Sequence, residues 1–175
     1  MYLNTLKVRN LNLLLPQTKS KKMKKTILTV LITTLTTINM MAQEVNMNKN
    51  KIANDGYDVV NYFTTNSATR GNSEFSTQHQ GATYYFVNSE NLNSFKEAPS
   101  AYLPQFDGYC AFAVAKMNQK APVDPTTFRI DDGKLYLFYN DFWEGKPFNT
   151  IVPWINNESE MEKLAASNWN ELKKQ

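Results

Sequence analysis

Cysteine is almost missing from this chain: Cys110 is the single one among 175 residues. One thiol excludes an internal disulfide. Histidine is equally scarce, with His79 alone. Structural zinc takes four ligands, mostly Cys and His, so a Cys/His zinc site within one chain is excluded. Histidine-dependent hydrolysis is not expected, and no Ser-His-Asp order occurs. The six glycines form neither a phosphate-cradling loop nor a dinucleotide fingerprint. After Lys51 no basic cluster is interleaved with aromatics, which speaks against nucleic acid as a partner. Internal repeats are also lacking.

Long apolar runs are missing as well. Thr26 to Met41 carries no charge, and Ile27, Leu28, Val30, Leu31, Ile32, Leu35 and Ile38 form its apolar part. The run is short and threonine-rich, whereas a transmembrane helix wants about 20 apolar residues. Lys24 and Lys25 precede it and Ala42 follows, the layout of a secretory signal peptide over 23–42. Met40 is bulky for the third position before the cut, and no cysteine follows for lipid attachment. Residues 1–22 are either an over-called start ahead of Met23 or an extended basic n-region. The expectation is export to the periplasm or cell envelope, with no stable membrane span after cleavage. The chain has 19 Lys+Arg against 16 Asp+Glu, and 7 of the basic residues lie within 1–42, where no acidic residue occurs. The remainder holds 12 against 16, net −4, so the basic pI belongs to the targeting segment. A mildly acidic mature protein gives no reason for an anionic partner.

What is left suits one domain of ordinary size. Residues 43–53 are expected as a flexible leader and 54–173 as the folded unit. Tyr57–Phe63 reads as a short strand or helical turn, and Ala82–Val87 as a strand opened by the Gln80-Gly81 turn. Ser89 is the expected helix cap, with Glu90 in the first turn, Leu92 and Phe95 on one face, and Pro99 as the stop. Asp131-Asp132-Gly133-Lys134 between Phe128–Ile130 and Leu135–Tyr139 is a strong hairpin signal. Met161, Leu164, Ala165, Trp169 and Leu172 form a helical stripe. The predicted class is α+β: a small single domain of antiparallel strands with short helices and a C-terminal helix.

Several segments resemble the exported YHS-domain proteins of bacteria. They are Gly56-Tyr57-Asp58-Val59-Val60-Asn61-Tyr62-Phe63, Gly81–Phe86, Tyr102-Leu103-Pro104-Gln105, Gly108-Tyr109-Cys110-Ala111, Asp132–Leu137 and Ala166-Ser167-Asn168-Trp169. Phe95 with Pro99 adds to the match, and the similarity is collinear over roughly residues 54 to 172. The resemblance implies a YHS-like fold and a metal-binding or metal-delivery module. Selenocysteine in place of Cys110 in some members implies redox chemistry. Metal-binding YHS domains carry cysteines at positions that fall on Val87 and Asn91 here. Neither binds a soft metal, so metal binding does not carry over on those residues.

The candidate site is therefore built around Cys110. As a soft ligand it suits copper, for which Met117 and His79 are further donors in principle, although no motif spacing links the three. His79 sits in Gln78-His79-Gln80-Gly81, which reads as a surface turn with a solvated imidazole. Met117 reads as a loop residue. As a thiol, Cys110 could open a helix through Ala111–Ala115 and act in redox chemistry with an external thiol partner. As a small hydrophobe it could pack beneath Phe112 and Val114. A pocket lined by Tyr109, Phe112 and the Tyr84-Tyr85-Phe86 strand is the expected surrounding, with Tyr85, Tyr109 and Phe112 as ligand-binding candidates. Asp131 and Asp132 read as turn residues, and Glu158, Glu160 and Glu162 as a solvated helix start. The readings that follow are a metal- or small-ligand-binding module, a thiol redox protein, and a structural module with a buried cysteine.

Overall fold

A computed structural model describes residues 45–175. The expected signal peptide over 23–42, and the segment before it, lie outside the described residues. The fold is α+β, as predicted: three antiparallel hairpins, short helices and a C-terminal helix. Among the described residues no helix is long and apolar enough to cross a membrane.

Each hairpin turns on two residues with positive φ. Strand β1 (Asn72–His79) pairs with β2 (Ala82–Phe86) across Gln80-Gly81. Strand β3 (Asp124–Asp131) pairs with β4 (Lys134–Phe138) across Asp132-Gly133. Strand β5 (Asn140–Trp143) pairs with β6 (Lys146–Asn149) across Glu144-Gly145. Asp132 and Gly133 have φ of 45° and 69°. A two-residue loop with both φ positive matches the right-handed strand twist, which is why Asp-Gly suits it. The β3–β4 hairpin is thus fixed by local chemistry. Strands β1, β5 and β6 were not anticipated; Asn72–His79 is polar, half of it exposed, and shows no apolar alternation.

Strand β4 is buried on both faces, and its two-residue period divides the interior. Leu135 and Leu137 face one way, onto Tyr62, Val123 and Phe128. Tyr136 and Phe138 face the other, onto Trp154, Met161 and Ala165. A further core gathers Ala82, Tyr84 and Phe86 of β2 with Val59, Val60 and Phe95.

The end of the Tyr57–Phe63 run enters helix α1 (Asn61–Thr65), so of its two expected forms the helical turn is the one present and the strand is not. Helix α2 (Ser89–Glu97) is capped by Asn88, whose side chain accepts the N–H of Asn91 at 2.8 Å. The cap is therefore one residue earlier than expected. Pro99 opens a 3₁₀ turn, Pro99–Ala101. After β6 come α3 (Ile151–Ile155) and α4 (Glu158–Leu172). Met161, Ala165 and Leu172 of the predicted stripe are buried, and Leu164 and Trp169 pack beside them.

The expected leader is ordered where it is described. Val45 is buried in the β2 core. The Asn46 N–H donates to the Asp107 carbonyl at 2.8 Å, and its side-chain amide donates to the Gly108 carbonyl at 2.8 Å. Residues 45–53 belong to the domain because their polar groups find backbone partners within it.

Candidate functional site

Cys110 stands immediately before a short helix that begins α-helically at Ala111 and runs π-helically over Ala113–Met117. Its carbonyl accepts the N–H of Val114 at 3.0 Å, and its own N–H donates to the Ala121 carbonyl at 3.1 Å. The predicted helix opening at Cys110 is therefore present. At the far end, the Asn168 side-chain amide donates to the carbonyls of Val114 and Ala115 at 2.9 and 3.0 Å. This ties the cysteine segment to α4.

The thiol is fully buried. It lies 3.4 Å from Thr150 Oγ1 and 3.4 Å from the N–H of Tyr139. Thr150 is buried too. Its hydroxyl donates to the Tyr139 carbonyl at 2.9 Å and accepts the Tyr139 N–H at 3.0 Å. Sulfur and the Thr150 hydroxyl are within hydrogen-bond reach, and either can be the donor.

Above this cluster lies a cavity of about 570 Å³. Phe112, Met117, Pro147, Phe148 and Trp143 supply its apolar wall, and Cys110, Thr150 and Tyr139 lie at its polar end. Phe112 and Phe148 meet edge to face at 6.1 Å. The β5–β6 hairpin brings Trp143 and Phe148 to the cavity, with Glu144 and Lys146 beside them. Trp143 and Met117 are exposed at its mouth.

Of the predicted lining residues, Phe112 is present and Tyr109 and Tyr85 are not. Tyr109 packs toward Trp169, at 6.3 Å between rings. Tyr85 takes the opposite face of β2 from Tyr84 and Phe86, beside Gly56. Tyr84 and Phe86 stack on Phe95 instead, so the β2 strand does not reach Cys110. Sequence reasoning missed Trp143, Phe148 and Thr150. Glu144-Gly145 was the available signal, since a turn there folds the next strand back toward Cys110.

The copper candidates divide. Met117 shares the cavity with Cys110. His79 does not: it closes β1 opposite Ala82, half-exposed, with its ring edge-on to Phe95 at 5.7 Å. It is a strand end packed on an aromatic rather than a solvated turn residue. Val87 and Asn91 sit elsewhere, where the Val87 N–H and the Asn91 amide donate to the buried Asp58 carboxylate at 2.9 and 2.7 Å.

Among the described residues, Asp131, Glu158 and Glu162 bring three carboxylates within 4.8 Å of one another. Arg129 already pairs with Glu158 and lies 3.7 Å from Asp131. Glu158 is thus a half-buried ion-pair partner, not a freely solvated helix start, because β3 carries Arg129 alongside it. Neither a family model nor a curated protein nor a solved structure matches this chain.

Proposed function

We propose that the protein is an exported small-ligand-binding module of the cell envelope, with the cavity at Cys110 as its binding site. The observation that carries the reading is the cavity: about 570 Å³, mostly apolar, with a small cluster of hydrogen-bonding groups at one end. Small-molecule sites have this composition and commonly span about 300–1,000 Å³. The wall selects an apolar, flat ligand, which Phe112, Phe148 and Trp143 can contact through their rings. The basic, apolar and small-residue order of residues 23–42 supports export. The resemblance to exported YHS-domain proteins rests on the residue segments alone.

1-Naphthol, followed through tryptophan fluorescence, tests the site. Saturable one-to-one binding is expected, and Ala121→Phe, which fills the cavity beside the Cys110 contact, should abolish it. Absence of saturation, or unchanged binding by Ala121→Phe in a folded protein, refutes the reading.

A second reading is favoured by Met117. Two soft donors, Cys110 and Met117, line one cavity, a pair that suits Cu(I). Competition with bicinchoninate decides it: equal copper retention by Met117→Leu and the parent removes it. The thiol redox reading is supported by the Tyr139 N–H on sulfur, yet it needs the sulfur to be exposed and deprotonated. Burial of the thiol weighs against it.

A further inference from the structure

We propose that a second cavity, between the Gln105–Gly108 turn and α4, binds a small neutral polyhydroxylated molecule of monosaccharide size through the hydroxyl of Tyr84. This cavity measures about 400 Å³ and shares no lining residue with the one at Cys110. It is assembled from the β1–β2 turn, β2, the Gln105–Gly108 turn and α4.

The central observation is Tyr84. It lines this cavity and is only 2% exposed. Its Oη is buried and has no hydrogen-bond partner among the described residues. Tyr62 is the contrast. Its equally buried hydroxyl donates to the Pro125 carbonyl at 2.8 Å and accepts from the Asn54 amide at 3.0 Å. Buried polar groups are nearly always paired, so a lone one at a cavity wall points to a partner supplied from outside. Burial, and next the charge of Asp107, push the Tyr84 phenol above its usual pKa. The group is therefore a neutral donor at physiological pH.

The rest of the wall sets the ligand class. Among the described residues no Lys, Arg or His lines the cavity and Asp107 is its one charged residue, so phosphates and carboxylates are disfavoured. Gln80, Gln105 and Asn170 present amides that both give and take hydrogen bonds, as hydroxyl-rich ligands require. Phe106 and Trp169 meet at 5.8 Å between rings and offer apolar surface to the C–H face of a sugar.

The turn that carries Phe106 and Asp107 is held in an unfavourable shape. Both residues are left-handed, with φ of 55° and 53°, although neither is glycine. Asn46 fixes them through the Asp107 and Gly108 carbonyls. Such backbone is retained where the surrounding structure over-determines it, often at ligand sites.

The test follows the Trp169 indole N–H by NMR while glucose, galactose and N-acetylglucosamine are titrated separately. A saturable shift with at least one sugar is expected. Tyr84→Phe should weaken that binding about ten-fold, the loss of one hydrogen bond, and leave the unfolding midpoint of the free protein unchanged or higher. Three results would each overturn the proposal: no saturable shift with any of the sugars, equal affinity in Tyr84→Phe, or a clear loss of stability in that variant. Saturation by tetramethylammonium in place of the sugars would overturn it too, by making the site one for cations.

Discussion

Asp58 should be the most sensitive polar position in the domain. It is fully buried, and both carboxylate oxygens are doubly engaged. Oδ1 accepts the N–H groups of Val60 and Asn61 at 2.8 and 3.2 Å. Oδ2 accepts the Val87 N–H and the Asn91 amide at 2.9 and 2.7 Å. Asp58→Asn keeps the shape but only one accepting oxygen. Whichever way the new amide turns, its NH₂ faces two donors. A hydrogen bond to a charged group contributes about 1.5–3 kcal/mol, so losing two costs about 3–6 kcal/mol. Removing a buried charge returns some desolvation cost, which places the result toward the lower end. That is a large share of the roughly 5–15 kcal/mol that stabilises a typical domain. Urea unfolding would read it as a lower midpoint at unchanged slope. Adding Asn91→Asp restores a donor–acceptor match at one contact and should recover about 1–2 kcal/mol in a double-mutant cycle. A loss below about 1 kcal/mol for Asp58→Asn, or no recovery in the double variant, would refute the reasoning.

Gly71→Ala should destabilise strongly, because a Cβ there would lie 2.4–2.6 Å from the backbone of Tyr85 and Phe86. Overpacking costs about 1–3 kcal/mol or more when backbone must move, which thermal unfolding will show. Thr150→Val removes the hydroxyl that accepts the Tyr139 N–H and bonds its carbonyl, while the Thr150 N–H still donates to that carbonyl; it should cost about 1 kcal/mol and speed iodoacetamide labelling of Cys110 in the native state. Unchanged labelling would mean that Thr150 does not hold the thiol. Tyr62, Tyr84 and Tyr136 have phenol pKa values raised, in each case mainly by burial. A raised phenol pKa contributes stability that is present below the unfolded value of about 10 and is lost as pH climbs above it. Absorbance titration should therefore show these tyrosines ionising only with alkaline unfolding, and reversible ionisation of all tyrosines in the folded protein would contradict this.

The legible parts of the fold were local. Asp132-Gly133 names its own turn, and the α4 stripe repeats at helical spacing. The β5–β6 hairpin was hidden because β5 is exposed throughout and β6 is only half-covered, so neither strand alternates apolar with polar. Its Glu144-Gly145 turn was the one mark it left. At the candidate site, Phe112 was legible because it lies two residues from Cys110. Tyr85 misled because parity along a strand decides direction, and its neighbours Tyr84 and Phe86 took the core face. Thr150 and Phe148 are nearly 40 residues away in sequence, and only the return of β6 brings them in.

One short stretch unites what the two cavities have in common. Phe106 and Asp107 face the Tyr84 cavity, and Cys110 and Phe112 face the other. Gly108 lies between them with φ of 83°, and Pro104 and Asn46 stand 3.5–3.6 Å from where its Cβ would be. A left-handed turn there sends the chain from one cavity to the other within a few residues. Pro104 bridges to Leu135 of β4 on one side, and Asn168 of α4 holds the Val114 and Ala115 carbonyls on the other. The Tyr102–Gln105, Gly108–Ala111 and Ala166–Trp169 segments lie along this stretch or on the helix that clamps it. Their residues thus have a physical account in the domain itself: a glycine for the turn, a proline at its entry, an asparagine for open carbonyls, and a cysteine whose sulfur lies in hydrogen-bond contact with Thr150.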